Sequence, residues 1–312
     1  MIVTVTANAS IDKRYVMGAL EPGKVNRVAN CTMSAGGKGL NVARAAAAAG
    51  ETVMTTGFLG GHHGRYIQEA LRKEGIGESF VWCEGETRSC INIWDEAGQQ
   101  TTELLEPGMT VTRENMDELL RVFSGLAVQA DAIAVSGSLP QGADTELYRS
   151  LIRIGGVAGK KVILDTGGKT LRECVSSGPY MVKPNLEELG QLTGKVLQAG
   201  DQNRILSAAK ELRTAGTEVV VVSLGSDGAV MACGTGCYEV RVPPVHAVNT
   251  VGCGDALTGG FCVGLSRGLE TVECLRLASA YAAASAMTER TGFFNTDDMK
   301  AVFREIRIKR IG

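Results

Sequence analysis

The chain has 312 residues, 44% hydrophobic and 21% charged, enough for a large core and more than the ~100–200 residues of a typical single domain. Its 32 Lys and Arg against 34 Asp and Glu leave a formal charge of −2, so no general nucleic-acid or membrane surface is expected and any anion binding must be local. No apolar run reaches the roughly 18 residues that span a bilayer, and nine cysteines without CxxC pairs suit reduced thiols in a cytoplasmic protein better than a disulfide framework.

The N-terminal MIVTVTANASIDKRY alternates like a strand and has neither the basic start nor the continuous apolar run of a signal peptide. Residues 11–35 and 87–106 hold short alternating pieces with no helix between them, the second with AGQQ as its turn. They are expected to form a small sheet outside the main one, placed as a lid. His62 and His63 start the helix HGRYIQEALRKEG; adjacent histidines point in different directions, and no third metal ligand is near. From about residue 110, apolar runs and helical patterns alternate: DAIAVSGS, ELYRSLIRIGG, KKVILDTGG, TLRECVSS, YMVKPN, LEELGQL, NRILSAAKELRTAG and EVVVVSLG. Near-continuous β-branched runs between amphipathic helices indicate a parallel sheet covered on both faces, a doubly wound α/β sandwich. Residues 1–312 are read as one such domain carrying the two lid segments, with RIKRIG as a frayed tail.

Ligands of such sheets gather beyond the carboxyl ends of the strands. The glycine-rich and polar segments all follow apolar runs: SGSLPQG 136–142, DTGG 165–168, KPNLEE 183–188, SLGSDG 223–228 and TVGCGD 250–255. Two nucleotide motifs are excluded. Gly36-Gly37-Lys38-Gly39 lacks the Ser or Thr that follows a Walker A lysine, and GCGDALTGG has Leu257 where a dinucleotide fold has its third glycine.

SAGGKGLNVARAAAAAG (34–50) and NTVGCGDALTGGF (249–261) resemble the two signatures of the ribokinase-like (PfkB) carbohydrate kinases, and SGSLP, KPNLEEL and SLGSDG extend the match over the whole chain. The resemblance implies a ribokinase-like α/β/α sandwich with a β-sheet lid, using ATP and magnesium. Asp255 would accept the proton of the acceptor hydroxyl, while Gly252, Cys253 and Gly254 offer N–H groups and a positive dipole end to the transferring phosphoryl group. Lys183, Asn185, Ser223, Gly225 and Gly228 would line the ATP side, with Glu188 organising magnesium through water. Asp12, Gly36, Gly37 and Asn41 would hold the sugar.

Lys38 in GGKG, Arg88 in TRSCIN, and Lys24 and Arg27 in GKVNR would sit at the sugar end remote from Asp255, with Ser138 as a further contact. A neutral sugar needs no such cations, whereas a phosphorylated one does. This combination resembles the 1-phosphofructokinase and tagatose-6-phosphate kinase branch. It implies phosphorylation of the primary hydroxyl of a ketohexose phosphate, fructose 1-phosphate first and tagatose 6-phosphate as the alternative. A minor-type 6-phosphofructokinase and a neutral-sugar or nucleoside kinase stand behind these, and a binding regulator without chemistry is opposed by the intact Asp255. A homodimer through the lid strands is also open.

Overall fold

Four consecutive valines show how the main sheet is built: Val219 and Val221 enter one core, Val220 and Val222 the other. A strand buried on both faces needs no polar alternation, and such strands lie in parallel sheets sandwiched by helices. The computed structural model, which describes all 312 residues, has this architecture.

The chain opens with β1 (Ile2–Thr6), β2 (Ser10–Met17) and β3 (Asn30–Gly36), then enters α1 (Lys38–Ala48). Next come β4 (Val53–Leu59), α2 (Gly61–Lys73), the short β5 (Gly77–Glu78) and β6 (Val81–Trp82), and the hairpin of β7 (Arg88–Asp95) and β8 (Gln100–Leu105). Helices and strands then alternate through α3 (Arg113–Gln129), β9 (Ala132–Ser136), α4 (Thr145–Val157), β10 (Lys161–Asp165), α5 (Gly168–Cys174) and β11 (Met181–Val182). After α6 (Leu186–Thr193), α7 (Gln202–Thr214) and β12 (Val219–Ser223) comes a hairpin of β13 (Ala229–Cys233) and β14 (Gly236–Arg241). The last elements are α8 (Cys253–Ser266), α9 (Thr271–Ala286), α10 (Thr296–Glu305) and β15 (Arg307–Arg310).

The 11-stranded main sheet runs β15-β14-β13-β12-β11-β10-β9-β1-β4-β5, with β6 also on β4; it is parallel from β5 to β12 and antiparallel beyond. One core lies between the sheet and α1, α2, α8, α9 and α10, the other between the sheet and α3 to α7. No helix is long and apolar enough to cross a membrane. The first of these cores is crowded by design of small residues. A Cβ on Gly259 would lie 2.8 Å from the Ala45 Cβ on α1, and one on Gly260 would lie 2.7 Å from the Ala278 Cα on α9. That closeness pins the mouth of α8 against α1.

The segments that break the alternation form a separate four-stranded sheet, β3-β2-β7-β8. Its base row pairs Ser10 with Gly36 and with Arg88, and two residues along Asp12 pairs with Ser34 and with Cys90. Met33, Leu104 and Leu105 are exposed on it.

The C-terminus departs from the sequence expectation. RIKRIG is no frayed tail: Arg307–Arg310 pairs antiparallel with β14, and Ile311 N–H donates to the Cys237 carbonyl at 2.8 Å. Alternation explains this, since Ile306 and Ile308 pack into the core while Arg307, Lys309 and Arg310 charge the open edge, as edge strands require.

Gly260→Val overpacks the α8–α9 contact and is expected to lower stability by about 1–3 kcal/mol, read from urea unfolding; an unchanged midpoint would contradict the packing described.

Candidate active site

A single carboxylate organises the rim. Asp165 ends the apolar strand β10 and is 1% exposed. Its Oδ1 lies 3.3 Å from the Lys38 ammonium and its Oδ2 3.3 Å from that of Lys183, while the Thr258 hydroxyl donates to Oδ2 at 3.0 Å. Burial works against its charge, but Lys183, Lys38 and Thr258 more than offset that and hold the carboxyl below the usual range. In return Asp165 raises the Lys38 ammonium's pKa above its ordinary value against burial, with Asp255 and Glu188 adding to it. Lys38 therefore stays charged.

Two helix mouths face this triad, each entered through a glycine at positive φ. Gly37 (φ 115°) caps α1 and Gly252 (φ 81°) caps α8, conformations that disfavour any side chain. The N–H groups of Gly252, Gly254 and Asp255 make no hydrogen bond within the protein, and Cys253 N–H reaches the Thr250 carbonyl only at 3.4 Å. A Cβ on Gly254 would sit 3.1 Å from the Lys183 ammonium, so the missing side chain lets that cation reach the mouth of α8. Burial and Asp255 push the Cys253 thiol up to about 11, leaving its backbone as its contribution.

Asp255 is 6% exposed, and its Oδ2 accepts from Asn41 Nδ2 at 2.8 Å across the α1–α8 contact. Burial first, and then the Asp165 charge, push its carboxyl up to about 6 against the pull of Lys38, the Asn41 bond and Lys183. Asn41 is itself held: its Oδ1 accepts from Arg44 Nη1 at 3.2 Å, and Arg44 Nε donates to Glu74 at 2.8 Å.

At the base of the small sheet, Asp12 accepts from the Ser10 hydroxyl at 2.7 Å. Burial raises its pKa, opposed by Ser10, Arg44 and Arg88. Gly36 opposite leaves the space that the Asp12 carboxyl fills, since a Cβ there would lie 2.1 Å from its Cγ. Arg88 donates from Nε and Nη2 to the Asn8 carbonyl at 3.3 and 3.1 Å and from Nη1 to Glu106 O at 3.0 Å, leaving two of five N–H donors. Asn8 Nδ2 in turn reaches the Ser138 hydroxyl at 3.2 Å, so Arg88 and Ser138 meet through Asn8.

Two expectations for the cations change. Lys38 lies on Asp165 beside Asp255, rather than at the remote sugar end, because the nearest buried carboxylate attracts its ammonium. Lys24 and Arg27 are not brought to Asp12. They occupy the β2–β3 connection, at the far end of strands whose near end carries Ser10 and Gly36, and Lys24 is paired with Glu21 at 2.6 Å.

On the other flank, Asn185 and Glu188 cap α6 reciprocally: each backbone N–H donates to the other's side chain at 2.8 Å. Only Oε2 of Glu188 is used, so Oε1 remains beside Gly167. Ser223 bridges to Asn185 and leads through Gly225 to Gly228, which places these residues on the same side of β11 and β12 as Lys183.

Residues 4–298 match the pfkB family carbohydrate kinases. The chain belongs to this family. The kinase is 37% identical over 310 residues to a tagatose-6-phosphate kinase of Staphylococcus epidermidis, covering 99% of each chain. Phosphofructokinase-2 from Escherichia coli, solved in complex with potassium, superposes with a TM-score of 0.90 at 28% identity over 97% of this chain and 98% of that one. A possible 1-phosphofructokinase from Thermotoga maritima does so at 0.88 and 26%, over 100% of both. The kinase is thus a phosphotransferase acting on an alcohol group.

Asp165, Thr258, Asn8, Arg44 and Glu74 escaped the sequence reading. The signal for Asp165 was present in KVILD: an acid closing a buried strand requires cationic partners. Asp165→Leu takes the counterion from Lys183, whose side chain is 6% exposed, and is expected to cost about 3–5 kcal/mol in urea unfolding. Lys38→Met, at a side chain 42% exposed, should cost far less; equal losses would refute the asymmetry.

Proposed function

We propose that the kinase transfers the γ-phosphoryl group of ATP to the primary hydroxyl of a ketohexose phosphate, with Asp255 as general base. The observation that carries this is the buried Asp255 carboxyl, held by Asn41 beside the unpartnered N–H groups that open α8. The hydroxyl's proton passes to Asp255 as the sugar oxygen bonds to the γ-phosphorus; the bond to the bridging oxygen breaks and ADP leaves. Gly252, Gly254 and the Asp255 N–H groups, with Lys183 and Lys38, face the charge of the phosphoryl group in transit. The family resemblance assigns ATP to Lys183, Asn185, Ser223, Gly225 and Gly228, and their common flank supports it.

Magnesium neutralises phosphate charge when bound with ATP. No cluster of three His, Cys, Asp or Glu could cage a metal, whereas Glu188 keeps Oε1 free to hold a hydrated ion through water, the manner magnesium prefers. On the acceptor side, Asp12 takes sugar hydroxyls, and Arg88 with Ser138 takes the phosphate already present. The small sheet then acts as the cover that excludes water. Fructose 1-phosphate and tagatose 6-phosphate each carry a phosphate at one end and a free CH₂OH at the other. The full-length relative at 37% identity supports tagatose 6-phosphate, and the Thermotoga neighbour supports fructose 1-phosphate.

Asp255→Asn should lower kcat by at least ~10²-fold while sugar-phosphate affinity is largely retained. Because the base works ionised, kcat/KM of the wild type should fall as pH drops through about 6. An unaltered kcat in the variant would sink the assignment.

The acceptor is read from kcat/KM for tagatose 6-phosphate, fructose 1-phosphate, fructose 6-phosphate and a neutral ketose side by side. Arg88→Ala should chiefly raise KM for the sugar phosphate, and Lys38→Ala should lower kcat. A neutral sugar that competes equally, with Arg88→Ala silent, would exclude a phosphate-bearing acceptor.

A further inference from the structure

We propose that Arg44 is a positioning residue for phosphoryl transfer: its guanidinium dictates which end of the Asn41 amide meets Asp255. The proposal rests on Asp255 being the general base. A side-chain amide has nearly the same shape either way round, so only its partners decide which end lies where. Asn41 Oδ1 accepts from Arg44 Nη1 at 3.2 Å, which leaves Nδ2 to donate to Asp255 Oδ2 at 2.8 Å. Turned over, the amide would set its carbonyl against the carboxylate and its NH₂ against the guanidinium, two repulsions in place of two hydrogen bonds. Arginine suits this task because it never loses its charge.

The clamp is itself immobilised. Arg44 is 4% exposed, its Nε donates to Glu74 at 2.8 Å, and its guanidinium lies 5.8 Å from the Phe293 ring centre. Arg290 braces the other side, 3.7 Å from Glu74 and 3.6 Å from the Phe293 ring centre. The charged groups facing Asp255 directly are Lys38 on α1, Asp165 at the end of β10 and Lys183 at the end of β11; Arg44 reaches it through Asn41. With Oδ2 held, Oδ1 of Asp255 accepts no hydrogen bond within the protein and is left for the acceptor hydroxyl. With one N–H and one Oδ1 lone pair spent on Asp255 and Arg44, Asn41 keeps one of each for the sugar.

The test is the acid limb of kcat/KM for ATP, measured at saturating sugar phosphate so that Asp12 is already covered. In Arg44→Met the amide loses one of the two partners that orient it, and the N–H donor to Asp255 is held less firmly. The limb should then move to higher pH by up to about 1 unit, the limit set by outright loss of one hydrogen bond to a charged group, with kcat reduced and KM for ATP retained. In an Asn41→Ala background the same change should add nothing, since the coupling runs through the absent amide. Arg44→Lys, which keeps one donor, should return part of the shift. A limb that stays in place while only thermal stability falls, or an undiminished effect in Asn41→Ala, overturns the proposal. Should Arg44→Met fail to fold, Arg44→Lys and Glu74→Gln must each move the limb in the same direction, or the proposal fails. Failure of the underlying reading shows separately, as full kcat in Asp255→Asn.

Discussion

One buried carboxylate sets the charge pattern on which the rest of the site depends. Asp165 is too deeply placed to be ionised alone, and it is ionised because two ammonium groups and a hydroxyl converge on it. The same contacts fix those ammonium groups: one arrives from the start of α1, the other from the end of β11, and Thr258 ties the arrangement to α8. Segments from the two flanks of the rim thus share a counterion. Burial first, and then the Asp165 charge, move the neighbouring Asp255 carboxyl toward neutrality. Two acids about the same rim are driven in opposite directions by their surroundings, one kept charged and one kept poised.

The small residues of α1, α8 and α9 serve this arrangement. Gly259 and Gly260 bring backbone against backbone, and the close approach lets Asn41 span from α1 to Asp255. A wider crossing would leave the carboxyl buried without its donor. The open N–H groups at the mouth of α8 and the lone acid beside them are therefore not in conflict: the N–H groups have no partner within the protein, while the carboxylate is held by Asn41.

Much of this was legible in the chain. The valine run of β12 and the repeated apolar-then-polar segments carry the sandwich and its rim, because burial on both faces has a clear sequence signature. The alternation in 11–35 and 87–106 carries the second sheet. What stayed hidden are pairings between distant side chains. Lys38 reads as a free cation until folding sets it beside an aspartate 127 residues away. Arg88 reads as a phosphate ligand, and its contacts to two backbone carbonyls have no residue-level signature at all. RIKRIG looks like a charged tail because a short edge strand alternates over too few residues to stand out.

The Asn41–Asp255 bond joins residues 214 positions apart, so the buried carboxyl and the amide that holds it come from distant parts of the chain. Lys38 and Asp165, and Asp165 and Thr258, close further spans of 127 and 93 residues. Closing spans of such length costs chain entropy that only the finished packing offsets. The cluster in this kinase therefore exists only once the chain is assembled from both sides: losing α8 would take away Asp255 and Thr258 together, and with them the partners of Asn41 and Asp165.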